Sequence, residues 1–241
     1  MKIKNILVIL ILVTTTMNIY SQNMKKTYQK AVLSELERTK EVKSEILTEQ
    51  DMSHLPEVVQ KYLRFVGVVG KEKVLNFRAE FKGGIRSKSS EPFMKLESVQ
   101  YNFMDDPTRL FYIVAKKMGL PAKGIHIYKD ETAIMKVKLL GLFTVVDAKG
   151  YEMNKGETVT VFNDMCVMAP ASLIDKNISW EVIDTSTVHA TFTNGNITIS
   201  AKLYFDEEGR LINFISNDRY ETTGGKTYNN VPWSTPISEY T

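Results

Sequence analysis

With 241 residues, 43% of them hydrophobic and 24% charged, the chain has the size of one large domain or two small ones and the composition of a globular protein. Its formal charge is +3, but Lys2 and Lys4 lie in the first 21 residues, which hold no acid, so the remainder sets 29 bases against 28 acids. That near-balance, with no basic run of five or more, argues against a nucleic-acid partner, and a lone cysteine, Cys166, excludes an intramolecular disulfide and a cysteine metal cluster.

Residues 1–21 read as a secretory signal peptide: a positive end at Lys2 and Lys4, the apolar run Ile6–Val13, and Ser21 placed for cleavage before Gln22. The run is short for a membrane span, and an uncleaved anchor is the alternative. An exported protein, periplasmic or secreted, with no stable span after signal removal is expected. Residues 22–53 form an N-terminal helical segment. Within it Met24–Leu47 reads as a helix with Tyr28, Val32 and Leu36 on one stripe. A single β-rich domain is expected over 54–241. It opens on a short helix at Pro56–Val66, ended by Gly67.

From Val74 the period changes to two. Leu75, Phe77, Ala79 and Phe81 alternate with polar residues, and Phe93–Met104 continues as a strand. Asp105-Asp106-Pro107 is a turn. Thr108–Lys117 returns as a strand, Gly119–Gly124 reads as a loop, and Lys129–Thr132 joins a hairpin between Ile125–Tyr128 and Ala133–Lys138. Leu110–Ala115 and Leu139–Val146 are apolar on both faces of an extended chain, which requires cover on both sides: protein, a partner or an apolar ligand.

Asn154 with Glu157 three residues on resembles a capping box, so a helix is expected over Lys155–Met168, with Val159, Phe162, Cys166 and Ala169 on one face and Pro170 ending it. Cys166 reads as a small buried hydrophobe. Strands resume at Ile178–Asp184, Val188–Thr193, Ile197–Phe205 and Arg210–Tyr220, with Asn194-Gly195 a strong hairpin signal. The tail, Gly224–Thr241, ends on ISEYT, which looks like a strand opening with nothing to pair with. The fold expected is α+β, mostly β: a curved antiparallel meander of about nine strands, like an unclosed barrel, with N-terminal helices and one helical insertion.

Little in the chain points to catalysis. His54, His126 and His189 are far apart in sequence, and no zinc-binding, phosphate-loop or GxSxG motif occurs, so neither metal nor cofactor is expected. Two polar knots stand out, Asn163-Asp164 in an apolar helix and Asp218-Arg219 at a strand end. An ion pair locking helix to sheet is the plainer reading of these residues. A polar anchor for a ligand head group is the functional one, because Arg matches carboxylate and phosphate geometry. Arg109 is a further anchor, and Asp164 or Asp218 would be the general base of a hydrolase.

The segments LPEVVQKYLRFVG, PTRLFYIVAKKMGLPAKGIHIY, FNDMCVMAPASLID, GRLINFISNDRYE and VPWSTPISEY together resemble an uncharacterised bacterial family, a domain of unknown function, over most of 55–241. Its members continue past PWSTPISEY, so the resemblance implies a chain shortened at its C-terminus. The layout also looks like the unclosed β-barrel of periplasmic lipoprotein carriers and mycobacterial-type lipid-binding lipoproteins, a likeness of fold alone.

The expected function is therefore non-catalytic binding of an apolar or amphipathic, lipid-like ligand. Leu110, Phe111, Ile113, Leu139, Leu142 and Phe143 would line the site, with Arg109 or Arg219 and the acids Asp164 and Asp218 at its polar end. A structural protein with no small ligand, or a hydrolase, is the alternative.

Overall fold

The computed structural model describes residues 24–240 apart from Ser87 and Met118; the leader read above lies outside them. The chain is α+β and mostly β. Helix α1 (24–39) and helix α2 (Glu57–Phe65) precede six strands, β1 (Asn76–Ile85), β2 (Met94–Phe103), β3 (Thr108–Lys117), β4 (Leu120–Lys129), β5 (Thr132–Leu139) and β6 (Phe143–Lys149). Helix α3 (Tyr151–Met168) and a 3-10 turn (Pro170–Ile174) lead to β7 (Ile178–Val182), β8 (Thr187–Asn194), β9 (Ile197–Phe205), β10 (Leu211–Thr223) and β11 (Thr227–Pro236). Within each sheet every strand pairs antiparallel with its neighbours in sequence. The meander is not one continuous sheet, however: α3 divides it into sheets of six and five strands.

Helix α3 is the axis of the packing. Every residue from Gly156 to Cys166 is buried, which an amphipathic surface helix does not allow. The helix lies against β9 and β10 of the second sheet and β5 and β6 of the first. Phe162 stacks on Phe192 and meets Phe214 edge-on, with ring centroids 5.3 and 5.8 Å apart. Tyr62 of α2 donates to the Cys166 carbonyl at 2.7 Å and ties α2 to the end of α3. The Cys166 thiol is buried and burial pushes its pKa up, so it behaves as a hydrophobe.

The first sheet is covered on both faces. On one side Met24, Tyr28 and Val32 of α1 pack on Phe103, Leu110, Tyr112 and Ile125. On the other side stands α3. Helices thus supply much of the cover that the doubly apolar strand β3 requires.

Several elements differ from the sequence reading. Helix α1 stops at residue 39, and Leu47, fully buried, is drawn instead into backbone bonds with Gly70 and Lys71. Of the expected loop at Gly119–Gly124, all but Gly119 belongs to β4: Gly124 is there because a Cβ would meet Ile113 and Val137 at 3.0 and 3.1 Å across the sheet. Leu139–Val146 is not one strand. Leu140 and Gly141, with φ of 55° and 72°, turn the chain between β5 and β6. Helix α3 begins at Tyr151 after Gly150, so Asn154 and Glu157 do not cap it; Asn154 Oδ1 instead accepts from the Ala133 amide at 2.8 Å.

The tail is paired rather than open. β11 runs along β10 as an edge strand, where Pro232 falls at a register shift and costs no ladder bond. Beyond it, the Ile237 amide bonds to the Ile212 carbonyl, and Tyr240 donates to the Leu211 carbonyl at 2.6 Å and packs edge-on against Phe65.

Candidate functional sites

Alternation along β2, β3 and β4 sets Gln100, Asn102, Arg109, Phe111 and His126 on the face of the first sheet that looks toward α3. Helix α3 turns Glu157 and Asp164 to meet them. Arg109 Nε donates to Asp164 Oδ2 at 2.9 Å, Nη1 to Glu157 Oε1 at 2.8 Å and Nη2 to Gln100 Oε1 at 3.1 Å. Its guanidinium also lies 4.7 Å from the Phe111 ring centre. Gln100 and Asn102 donate to the same Asp164 oxygen at 3.0 and 2.9 Å.

Electrostatics separate the members of this cluster. Burial pushes the Asp164 carboxyl up, against the pull of Arg109. Burial also works to raise Glu157, but the facing charges, of His126 when protonated and of Arg109 and Arg219, outweigh it and hold it below the ordinary range. Burial depresses His126 to about 4, so its imidazole is neutral at physiological pH. His126 Nε2 stands 3.1 Å from Glu157 Oε2, out of line for a hydrogen bond, and neither atom has a bonding partner.

Arg219 approaches from β10. It fits because residue 156 is glycine: a Cβ there would lie 2.8 Å from Arg219 Nη1. The Arg219 guanidinium lies 5.0 Å from the Trp233 ring centre, and its Nε has no partner. Its neighbour Asp218 points elsewhere, to Lys155 Nζ at 2.8 Å and the Ser200 amide at 2.8 Å.

The ten residues singled out from sequence therefore fall in several places. Arg109 and Asp164 are joined, and Arg219 sits beside their partner Glu157. Asp218 is held in its own ion pair. Phe111, Ile113 and Leu139 share the α3 side of the sheet, half-buried, whereas Leu110 faces α1. Leu142 and Phe143 stand exposed at the β5–β6 turn. Gln100, Asn102, His126 and Glu157 were not singled out. The polar alternation Ser98-x-Gln100-x-Asn102 reads as a wet face when only β2 is considered, and Glu157 reads as a cap.

A second feature lies on the opposite face of the same sheet. Between α1 and strands β1 to β3 runs a groove of about 800 Å³. Tyr28 and Val32 form one wall, Val99, Tyr101, Tyr112 and Val114 line the sheet side, and Lys25, Arg78 and Glu80 are among its charged residues. Burial raises the Tyr28 phenol to about 12, and its buried hydroxyl has no partner. Ion pairs fasten the C-terminal half of α1 beyond the groove, Glu35 to Lys129 at 2.5 Å and Arg38 to Asp105 at 2.6 Å. A further cleft, about 1000 Å³ between α2 and the turns of the second sheet, contains Asp184, Asp206 and Glu207 and is bridged by Lys61 Nζ on the Glu207 carbonyl at 2.5 Å. No group of three metal-ligating side chains forms among the described residues.

A family model matches residues 45–241. The chain belongs to the DUF6544 family. That family is described as one of unknown function, so membership brings no reaction or ligand with it. No curated protein and no solved structure matches the chain. The DUF6544 match takes in both sheets, α2, α3 and the Arg109–Asp164–Glu157 cluster, and leaves α1 outside. Among the described residues of this DUF6544 member, no helix is long and apolar enough to cross a membrane.

Proposed function

We propose that the protein is a non-catalytic binder of an amphipathic, lipid-like ligand, held in the groove beneath α1. The observation that carries this reading is the groove itself. It has the volume of a small-molecule site, an apolar and tyrosine-rich lining, and charged groups at its margin. A tyrosine offers an apolar body with a polar tip, which suits an amphipathic guest. The site so assigned uses the α1 face of the first sheet; of the set Leu110, Phe111, Ile113, Leu139, Leu142 and Phe143 expected from sequence, only Leu110 faces α1, and none of the six is among the residues lining the groove.

On this reading the buried cluster is a lock between α3 and the sheet. Both Asp164 and Asp218 are occupied by their own partners, which disfavours a hydrolase built on either. The signal-peptide character of the first 21 residues supports a cell-envelope location for that binding.

The test is titration with the fluorescent fatty acid cis-parinaric acid. Wild-type protein gains fluorescence that saturates at one equivalent. Val114→Trp, which fills the groove from β3, loses that signal while keeping the wild-type unfolding midpoint. Equal titration of both proteins would refute the assignment.

A further inference from the structure

The six-stranded sheet is polarised along its strands. Antiparallel register brings three turns to one end, β1–β2 (Ile85 opposite Met94), β3–β4 (Lys117 opposite Leu120) and β5–β6 (Leu139 opposite Phe143). With strands about 5 Å apart, the three turns stand in a row at intervals of about 10 Å. Each presents large apolar side chains to solvent: Ile85 and Phe93, then Leu120, then Leu142 and Phe143. Phe93 and Phe143 are each 62% exposed.

Charge follows the same axis. Among the described residues of the tip segments 86–93, 116–120 and 139–143, Arg86, Lys88 and Lys116 stand against one acid, Glu91. The turns at the other end of the sheet hold Asp105 and Asp106, then Asp130 and Glu131. Helix α1 runs along this axis too. Its C-terminal half is pinned at the acidic end through Arg38–Asp105, and Tyr28, ten residues earlier, lies against Tyr112 midway along β3, so its N-terminal end points toward the apolar tips.

We infer that this end of the first sheet docks on an anionic lipid bilayer, with Ile85, Phe93, Leu120, Leu142 and Phe143 entering the interface and the basic side chains meeting the head groups. Apolar wedges flanked by bases, with acids withdrawn to the far end, match the charge of such a surface and oppose the reverse orientation. The inference does not depend on what the groove beneath α1 holds.

The experiment is co-sedimentation with extruded vesicles of phosphatidylcholine alone and of phosphatidylcholine with phosphatidylglycerol at three to one. The full chain is expressed and processed by the cell in every case. Wild type is expected to sediment with the anionic vesicles, at least tenfold less with the neutral ones, and to be released by salt. A triple variant, Phe93→Ser with Leu120→Ser and Phe143→Ser, is expected to lose binding at least tenfold. Val182→Ser, which removes an equally exposed apolar residue from the second sheet, keeps it, as does the groove-filling Val114→Trp. The inference is overturned if wild type ignores both vesicles, if the triple variant binds as wild type does, or if Val182→Ser loses as much. Concentration-dependent self-association that the triple variant abolishes, without vesicle binding, would assign this end to a second copy of the chain instead.

Discussion

Arg109 of β3 and Asp164 of α3, 55 residues apart in sequence, meet at 2.9 Å inside the protein, and that contact joins the first sheet to the helix shared by both sheets. Formal charge in this interior is balanced: Arg109 and Arg219 face Glu157 and Asp164, with His126 neutral. Removing one member leaves an uncompensated buried charge, which costs more than the pair contributes. Arg109→Met strands two carboxylates and is expected to lower stability by about 3–5 kcal/mol. Asp164→Asn retains an acceptor for the three donors and is expected to cost about 1–3 kcal/mol. Urea unfolding of the two variants checks the order. An Arg109→Met protein as stable as wild type would mean that the cluster does not lock helix to sheet.

Acid should act on stability through His126. The imidazole titrates near 6.5 when unfolded and near 4 when folded. Between those values the unfolded chain binds a proton that the folded chain refuses, so stability falls as pH drops from 6.5 toward 4. That gap corresponds to about 3 kcal/mol at the acid end. Glu157, held low, adds to the loss below its ordinary 4.5, whereas Asp164, pushed up, takes its proton first in the folded state and opposes it. Urea unfolding at pH 7 and pH 5 is expected to show a clear loss for wild type. His126→Gln flattens it, and an unchanged slope in that variant would place the pH dependence elsewhere.

The two sheets touch directly at one place where side chains hardly matter. The Asp147 amide donates to the Gly224 carbonyl at 3.3 Å, linking β6 to the turn between β10 and β11. Gly225 has φ of 85°, and a Cβ there would lie 2.2 Å from the Asp147 carbonyl oxygen. Backbone on both sides leaves nothing flexible to yield. Gly225→Ala is expected to lift the β10–β11 turn from β6, at a cost of about 1–3 kcal/mol. Hydrogen exchange at the Asp147 amide should accelerate by at least tenfold while amides at the centre of β9 stay protected. Uniform acceleration would mean that the whole second sheet depends on this contact.

Much of the fold is legible in the sequence where two signals agree. β3 and β9 are bounded as read, because alternation stops at clear turn residues: Asp105-Asp106-Pro107 before β3, Gly195-Asn196 before β9 and Asp206 to Gly209 after it. Legibility fails where a glycine serves packing rather than a turn, as at Gly124, and where an apolar run hides its own turn, as at Leu140-Gly141. The site is harder for a different reason. Arg109 and Asp164 stand out as polar residues in apolar company. Gln100 and Asn102 do not, because a polar face buried against α3 has the same alternation as one facing water. Only the burial of α3 on every side tells them apart, and that depends on a second sheet far along the chain.

Whether the groove beneath α1 holds a ligand is open to one direct measurement. Native mass spectrometry of the protein purified without detergent decides it. A discrete added mass that extracts into organic solvent is expected, and it is missing from Val114→Trp prepared in the same way. A clean apo mass for wild type, before and after incubation with envelope lipids, would contradict it.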